Sequence, residues 1–364
     1  MGFKCGIIGL PNVGKSTIFN ALTAACAEVA NYPFCTIEPN IGMVPVPDPR
    51  LTDIAKLIQP QKVTPTAVEL VDIAGLVKGA SRGEGLGNKF LGHIREVDAV
   101  VHIVRCFENP NVVHVDGTVD PLRDLDIVQT ELILADLETI EKRIEKAEKL
   151  VKAGDKDARK FLDLYHRIRE GLGRGVPASA MPRNEDWVAC LSDLHLLTAK
   201  KMLIVANISE AILKTDGDLV RCLEEKAAET GNGVIAVCGD LEAEITELPP
   251  EERIAFLKDM GLQESGLEKL IHAGYDLLEL ITFYTTVGPE LRAWTIHRGT
   301  KAPQAAGKIH TDMERGFIRA EIVHYDDFIR LGGMHGAKEG GRVHVEGRDY
   351  TIQDGDIVHF RFNV

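Results

Sequence analysis

Short apolar runs rich in branched residues recur along the chain, each followed by a polar or amphipathic stretch. The first covers residues 3–8 and leads through a glycine-rich turn into a helical pattern at residues 15–23. Residues 67–73, 99–104, 202–206 and 234–237 repeat the theme. These runs are short enough for strands and too uniformly apolar for either face to meet water. Such strands alternating with helices predict an α/β fold with a mostly parallel sheet covered on both sides.

Between the third and fourth runs the pattern changes. Ile133, Leu137, Ile140, Ile144, Ala147 and Val151 recur alternately every four and three residues within a charged stretch, which draws one narrow apolar seam. Gly154 and Asp155 interrupt it, a second helical pattern covers residues 158–172, and Gly171, Gly173, Gly175 and Pro177 close the region. An inserted antiparallel helical hairpin is expected, with helices that merely cover the sheet as the alternative, since only the first has a clean seam. From about Ile281 short strands alternate with turn signals at Arg315-Gly316, Gly332-Gly333, Gly340-Gly341 and Asp354-Gly355, predicting a small β-rich terminal domain. The expected division is residues 1–125 with 199–280 as a nucleotide-binding domain, 126–198 as the hairpin, and 281–364 as the terminal domain.

Composition narrows the class further. Of 364 residues, 45% are hydrophobic and 27% charged, and no apolar run nears the roughly 18 residues that cross a bilayer. No membrane partner is expected, and residues 3–10 are too short and lack the cleavage site of an export signal. Seven scattered cysteines without a CxxC pair imply neither a disulfide framework nor a zinc site, which suits a reducing cytoplasm. A net charge of −13 argues against adhesion to DNA or to nucleic acid in general. A local basic face built from Lys301, Lys308, Arg315 and Arg319 stays compatible with that charge.

The glycine-rich turn carries the chemistry. Gly9-Leu10-Pro11-Asn12-Val13-Gly14-Lys15-Ser16 fits G-x-x-x-x-G-K-[ST] between an expected strand and an expected helix. Backbone N–H groups there wrap phosphates, the helix start adds positive potential, and Lys15 puts a point charge on the β and γ oxygens. Asn12, Val13, Gly14, Lys15, Ser16 and Thr17 are the expected phosphate contacts, with Ser16 on Mg²⁺. Asp72-Ile73-Ala74-Gly75 ends an apolar run, so Asp72 would hold the Mg²⁺ shell while the Gly75 amide approaches the γ-phosphate. Thr36, within residues 31–39, would complete the Mg²⁺ coordination when γ-phosphate is present. The glycine-dense residues 78–87 complete the reading of two switch loops.

These motifs resemble the Obg-like branch of the translation-factor GTPases, most closely the YchF/Obg-like ATPase family. The likeness spans nearly the whole chain: GLPNVGKST at 9–17, NYPFCTIEPN at 31–40, DIAGLVKGAS at 72–81, GEGLGNKFL at 83–91, HTDMERGFIRAE at 310–321 and GDIVHFRFNV at 355–364. The resemblance implies a GTPase-like domain, an inserted coiled-coil hairpin and a carboxy-terminal β-grasp TGS domain.

Two departures from the usual GTPase pattern bear on function. Asn207-Ile208-Ser209-Glu210 stands where guanine-specific relatives carry Asn-Lys-x-Asp, so the aspartate that accepts two hydrogen bonds from guanine is absent. Losing such a fork removes discrimination of up to about 10⁴ to 10⁵. An asparagine amide can instead engage the N6 donor and N7 acceptor of adenine, which assigns base reading to Asn207 with Ile208 and Glu210 beside it. The resemblance likewise implies ATP. Leu76 is the second departure, an apolar residue where Ras-like enzymes position water with glutamine. The resemblance puts a histidine at His114, in the loop of residues 109–117, and makes it the candidate water-positioning group.

The expected protein is a slow, Mg²⁺-dependent ATPase acting as a nucleotide switch on the ribosome, on its large subunit or on the whole particle. RNA contacts would run through the TGS domain and hairpin, and a monomer is expected. The alternatives are an Obg-type GTPase and a nucleotide-stabilised RNA or protein-binding module with negligible turnover.

Overall fold

Strands apolar on both faces need cover on both, and the first sheet of the computed structural model is built that way. The structure describes residues 3–27, 40–73, 86–115, 117–182, 187, 194–213 and 217–363. The sheet contains β1 (Lys4–Ile8), β2 (Ile41–Pro45), β4 (Ala67–Asp72), β5 (Ala99–Arg105), β6 (Lys201–Asn207) and β7 (Gly233–Val237) in the order β2-β4-β1-β5-β6-β7. All its pairings are parallel except β2 with β4. Helices α1 (Lys15–Ala27), α2 (Pro49–Ile58) and α3 (Leu86–Glu96) alternate with its early strands. The α/β, mostly parallel fold expected from the run pattern is therefore present.

Two further helices, α4 (Pro121–Lys152) and α5 (Lys156–Gly173), form the antiparallel pair. Helix α4 begins earlier than its seam suggests. Asp120 caps it by accepting from the Arg123 N–H at 3.1 Å, and Pro121 occupies the first turn, where its missing N–H costs nothing. The helix then runs unbroken for 32 residues, so the expected boundary at residue 126 falls inside it. Both readings of this region hold, each for half of the helix. Val128 and Leu132 join the core of the sheet, whereas Ile140 and Ile144 pack on Ile168 and Leu172 of α5. Between the halves, the buried Asp136 carboxylate accepts from the N–H groups of Leu197 and Thr198, each at 2.8 Å, and from the Thr198 hydroxyl at 2.7 Å.

The chain returns through β6 into α6 (Asp218–Thr230), α7 (Gly239–Glu247), α8 (Pro250–Asp259) and α9 (Gly266–Leu277). A second sheet follows, with β8 (Leu280–Thr285), β9 (Glu290–His297), β10 (Phe317–Val323), β11 (His344–Glu346) and β12 (Ile357–Phe362). Its order is β11-β10-β12-β8-β9-β3, where β3 (Lys62–Thr64) comes from the first third of the chain and runs parallel to β9. Strand β3 was not anticipated, because three partly polar residues carry no readable alternation. Leu51 and Ile54 of α2 accompany it, packing with Tyr284, Leu291 and Phe328. Arg50 donates to Asp354 at 2.8 Å and to Asp48 at 3.0 Å, and the Tyr284 hydroxyl donates to the same Asp48 carboxylate. Residues 48–64 thus tie the two sheets together although they precede the second by more than two hundred positions.

A titratable side chain sits in the middle of the first sheet. His102 lies in β5 between Ile8 and Ile204, is buried, and has no hydrogen-bond partner on either ring nitrogen. Burial alone lowers its pKa to about 4. The unfolded chain takes up a proton near pH 6.5 that the folded chain refuses, so stability falls as pH drops from about 6.5 towards 4. Urea unfolding at pH 7.5 and pH 5 should show wild type losing about 2 kcal/mol more than His102→Leu. Equal losses would show that His102 is not held neutral by the fold.

Candidate functional site

The turn after β1 takes a shape that most residues resist. Asn12 has φ of 64° and Gly14 φ of 90°, both left-handed, before α1 begins at Lys15. Asparagine tolerates this region better than most residues and glycine does so without penalty. The Lys15 ammonium rests on the Asp72 carboxylate, 57 positions away at the end of β4. Parallel pairing of β1 and β4, with Ile7 opposite Asp72, is what brings the two motifs together. Ser16 follows in the first turn of α1, with Thr17 next to it. Thr36 and Gly75, and with them Leu76, lie outside the described residues.

Asn207 makes two backbone contacts that its motif did not announce. Its Nδ2 donates to the Val13 carbonyl at 2.9 Å, and its Oδ1 accepts from the Gly239 N–H at 3.1 Å. The buried side chain therefore bolts the phosphate turn to the start of α7. Nδ2 has one further N–H to offer, which suits N7, an acceptor that adenine and guanine share. Both ends of the amide are engaged by backbone in this structure, which leaves one N–H of Nδ2 and one lone pair of Oδ1 for a base. Ile208 is buried among Ile204, Leu223 and Cys238, so its side chain is core. Glu210 opens a short 3₁₀ turn, Glu210–Ile212, and is exposed.

A second set of contacts fastens the loop after β5. Arg105, fully buried, donates to the carbonyls of Phe107 and Val112 at 3.0 Å each and of Asn109 at 3.3 Å, and its guanidinium lies 4.9 Å from the Phe107 ring centroid. It also reaches the Asn12 carbonyl at 3.5 Å, and the Asn12 amide donates to the Val113 carbonyl at 3.1 Å. The loop that holds His114 is thus fastened to the phosphate turn, and the His114 side chain is buried. Its Nε2 lies 2.8 Å from the Asp124 carboxylate on α4, and the Arg123 guanidinium stands 3.5 Å from its Nδ1. Arg105, Arg123 and Asp124 were missed in the sequence. An arginine ending an otherwise apolar strand, and Asp-Pro-Leu-Arg-Asp opening a helix, were the available signals.

The expected basic face in the second sheet is partly neutralised. Lys301 pairs with Asp349 at 3.1 Å, and Arg319 lies 3.6 Å from Glu321. Lys308 lies 5.6 Å from the Phe3 ring centroid.

A Cβ at Gly14 would stand 2.1 Å from Asn207 Nδ2 on a backbone that side chains rarely adopt. Gly14→Ala should weaken binding of a fluorescent ATP analogue by roughly tenfold or more. Gly274→Ala, where nothing lies within 4 Å of the added carbon, serves as the control that leaves binding intact. Unchanged affinity in Gly14→Ala would remove the phosphate site from this turn.

A family model described as a 50S ribosome-binding GTPase matches residues 4–151, and the YchF-GTPase_C model, described as a protein of unknown function, matches residues 280–363. Proteins called ribosome-binding ATPase YchF from Bacillus subtilis and Haemophilus influenzae are 53% and 52% identical to this chain over the whole length of both partners. A solved structure described as the Schizosaccharomyces pombe YchF GTPase aligns over 99% of this chain and 98% of its own, at 36% identity and a TM-score of 0.90.

Proposed function

The chain belongs to the YchF family, and from that membership and the site above we propose a ribosome-binding ATPase that works as a nucleotide-dependent switch. The observation that carries this reading is the meeting of Lys15 and Asp72 at a left-handed glycine turn, a charge pair that a triphosphate and its cation would divide between them.

The amides of residues 12–17 and the Lys15 ammonium bind the phosphate oxygens. A hydroxyl at Ser16 and a carboxylate at Asp72 are the oxygen ligands Mg²⁺ accepts beside phosphate, so these two residues would hold it, with Thr36 as the expected third. Bound there, the ion supplies positive charge to the β and γ oxygens. Lys15 then leaves Asp72 for the phosphates, which keeps both groups paired. In hydrolysis a water oxygen bonds to the γ-phosphorus as its bond to the β–γ bridging oxygen breaks, releasing ADP and phosphate. His114 orients that water, with the Gly75 amide on the γ-phosphate. Asn207 holds N7, and the exposed Glu210 carboxylate favours adenine, whose exocyclic amine donates where guanine O6 accepts.

The nucleotide state is read by the ribosome, through the large subunit or the whole particle, with RNA met by the hairpin and the TGS domain, and the chain acts as a cytoplasmic monomer. Among the described residues no helix is long and apolar enough to cross a membrane. A second reading, a GTPase, has support in the name of the S. pombe relative. Competition between ATP and GTP for the purified chain decides between them, and Glu210→Asp should move the preference towards GTP. A wild-type protein that binds GTP more tightly would overturn the ATPase reading.

Two variants test the chemistry. Lys15→Ala should abolish ATP binding, because the phosphate charge loses its mobile partner. His114→Ala should lower the single-turnover rate roughly 10²-fold or more while ATP affinity stays within twofold. A loss of affinity with normal turnover would give His114 a binding role instead.

A further inference from the structure

The His114 side chain is 2% exposed and its partner Asp124 1%, so in this structure the ring cannot reach a water on a nucleotide. Both ring nitrogens face α4: Nε2 lies 2.8 Å from Asp124 Oδ2 and Nδ1 lies 3.5 Å from Arg123 Nη2. Arg123 also donates to the other Asp124 oxygen at 3.2 Å and to the Thr118 carbonyl at 2.6 Å, which braces the carboxylate. The residues on either side have the opposite arrangement. Val113 is 76% and Val115 52% exposed, so the loop buries its polar side chain and shows its apolar ones to solvent. That inversion is unfavourable for the valines and is offset by the charge-assisted bond to Asp124.

We propose that the first turn of α4 is a latch that stores His114 away from the reacting water, and that intrinsic hydrolysis is slow because the latch is closed. The inference rests on the reading of His114 as the water-orienting group. Asn12 and Arg105 hold the loop backbone on the phosphate turn through bonds that do not involve the ring, so the ring can turn out without the loop travelling. The latch sits at one end of a lever. Asp124 lies twelve positions before Asp136, whose three hydrogen bonds pin α4 to residues 197 and 198, and Lys152 lies sixteen positions beyond it. A partner gripping the distal hairpin, whose two helices are joined by a short turn at Gly154, acts on the same helix that carries Asp124, with Val128 and Leu132 holding the stretch between them to the sheet, and draws Asp124 from the ring by straining the first turn. Asp124 and Arg123 are thus positioning residues that couple a partner on the hairpin to hydrolysis.

The test uses the full chain with Mg²⁺ and ATP and without ribosomes. Asp124→Asn keeps size and removes the charge, and it should raise the single-turnover rate roughly tenfold with ATP affinity unchanged. The double variant Asp124→Asn/His114→Ala should fall to the rate of His114→Ala, since the gain passes through the ring. Arg123→Ala, at the solvent edge of the cluster, should raise the rate in the same direction by less, and it decides the matter if Asp124→Asn does not fold. Rates at or below wild type in the folded variants would overturn the latch. A His114→Ala protein that hydrolyses like wild type would instead remove the catalytic reading on which the latch is built.

Discussion

A left-handed turn with nothing but backbone to show is unstable unless its surroundings hold it, and this molecule depends on how residues 9–14 are held. Asn207 grips the Val13 carbonyl from β6 and passes the restraint to Gly239 at the start of α7. Arg105 reaches the Asn12 carbonyl from the end of β5 and gathers the following loop with its remaining donors. Each is buried, and each has backbone atoms as partners, so water competes little for these bonds. Glycine at position 14 follows from the same packing, since the Asn207 amide occupies the space a side chain would need.

Everything that would respond to nucleotide is attached to that turn at one remove. Asp72 ends β4 and meets Lys15. Strand β2 pairs antiparallel with β4, and between them the chain leaves the first sheet, packs α2 on the second sheet, and contributes β3 to it. The strand that carries Asp72 is therefore continuous with a segment fastened to Asp354 and Tyr284. Strands β2 and β4 are thereby joined to the carboxy-terminal sheet by covalent chain, ion pair and apolar contact together. On the opposite flank, His114 joins the turn to α4 through Asp124, and α4 extends into the hairpin. Two surfaces far apart in the sequence thus share one small loop as their common anchor.

The apolar strands, the hairpin seam and the phosphate motif were legible in the chain because each is local: period, spacing and glycine placement occur within a few residues. What was not legible had non-local causes. Strand β3 exists because β9 offers it an edge, and α4 begins at Pro121 because Asp120 caps it, five residues before the expected boundary. His114 was read as a group for the reacting water, and nothing near it in the sequence announces that Asp124 and Arg123 will face it. Asn207 was read by analogy with base recognition, while its amide is engaged by groups 194 and 32 positions away.

By itself the sequence determined the kind of molecule: a parallel sheet, a phosphate turn with its lysine and carboxylate, a helical hairpin and a β-rich end. Those follow from short-range stereochemistry, which needs no partner. Only the tertiary structure decided which polar side chains are available to a ligand and which are committed to the fold. A buried amide, guanidinium or imidazole must find its hydrogen bonds wherever packing delivers them, and that delivery is settled when the strands are laid side by side.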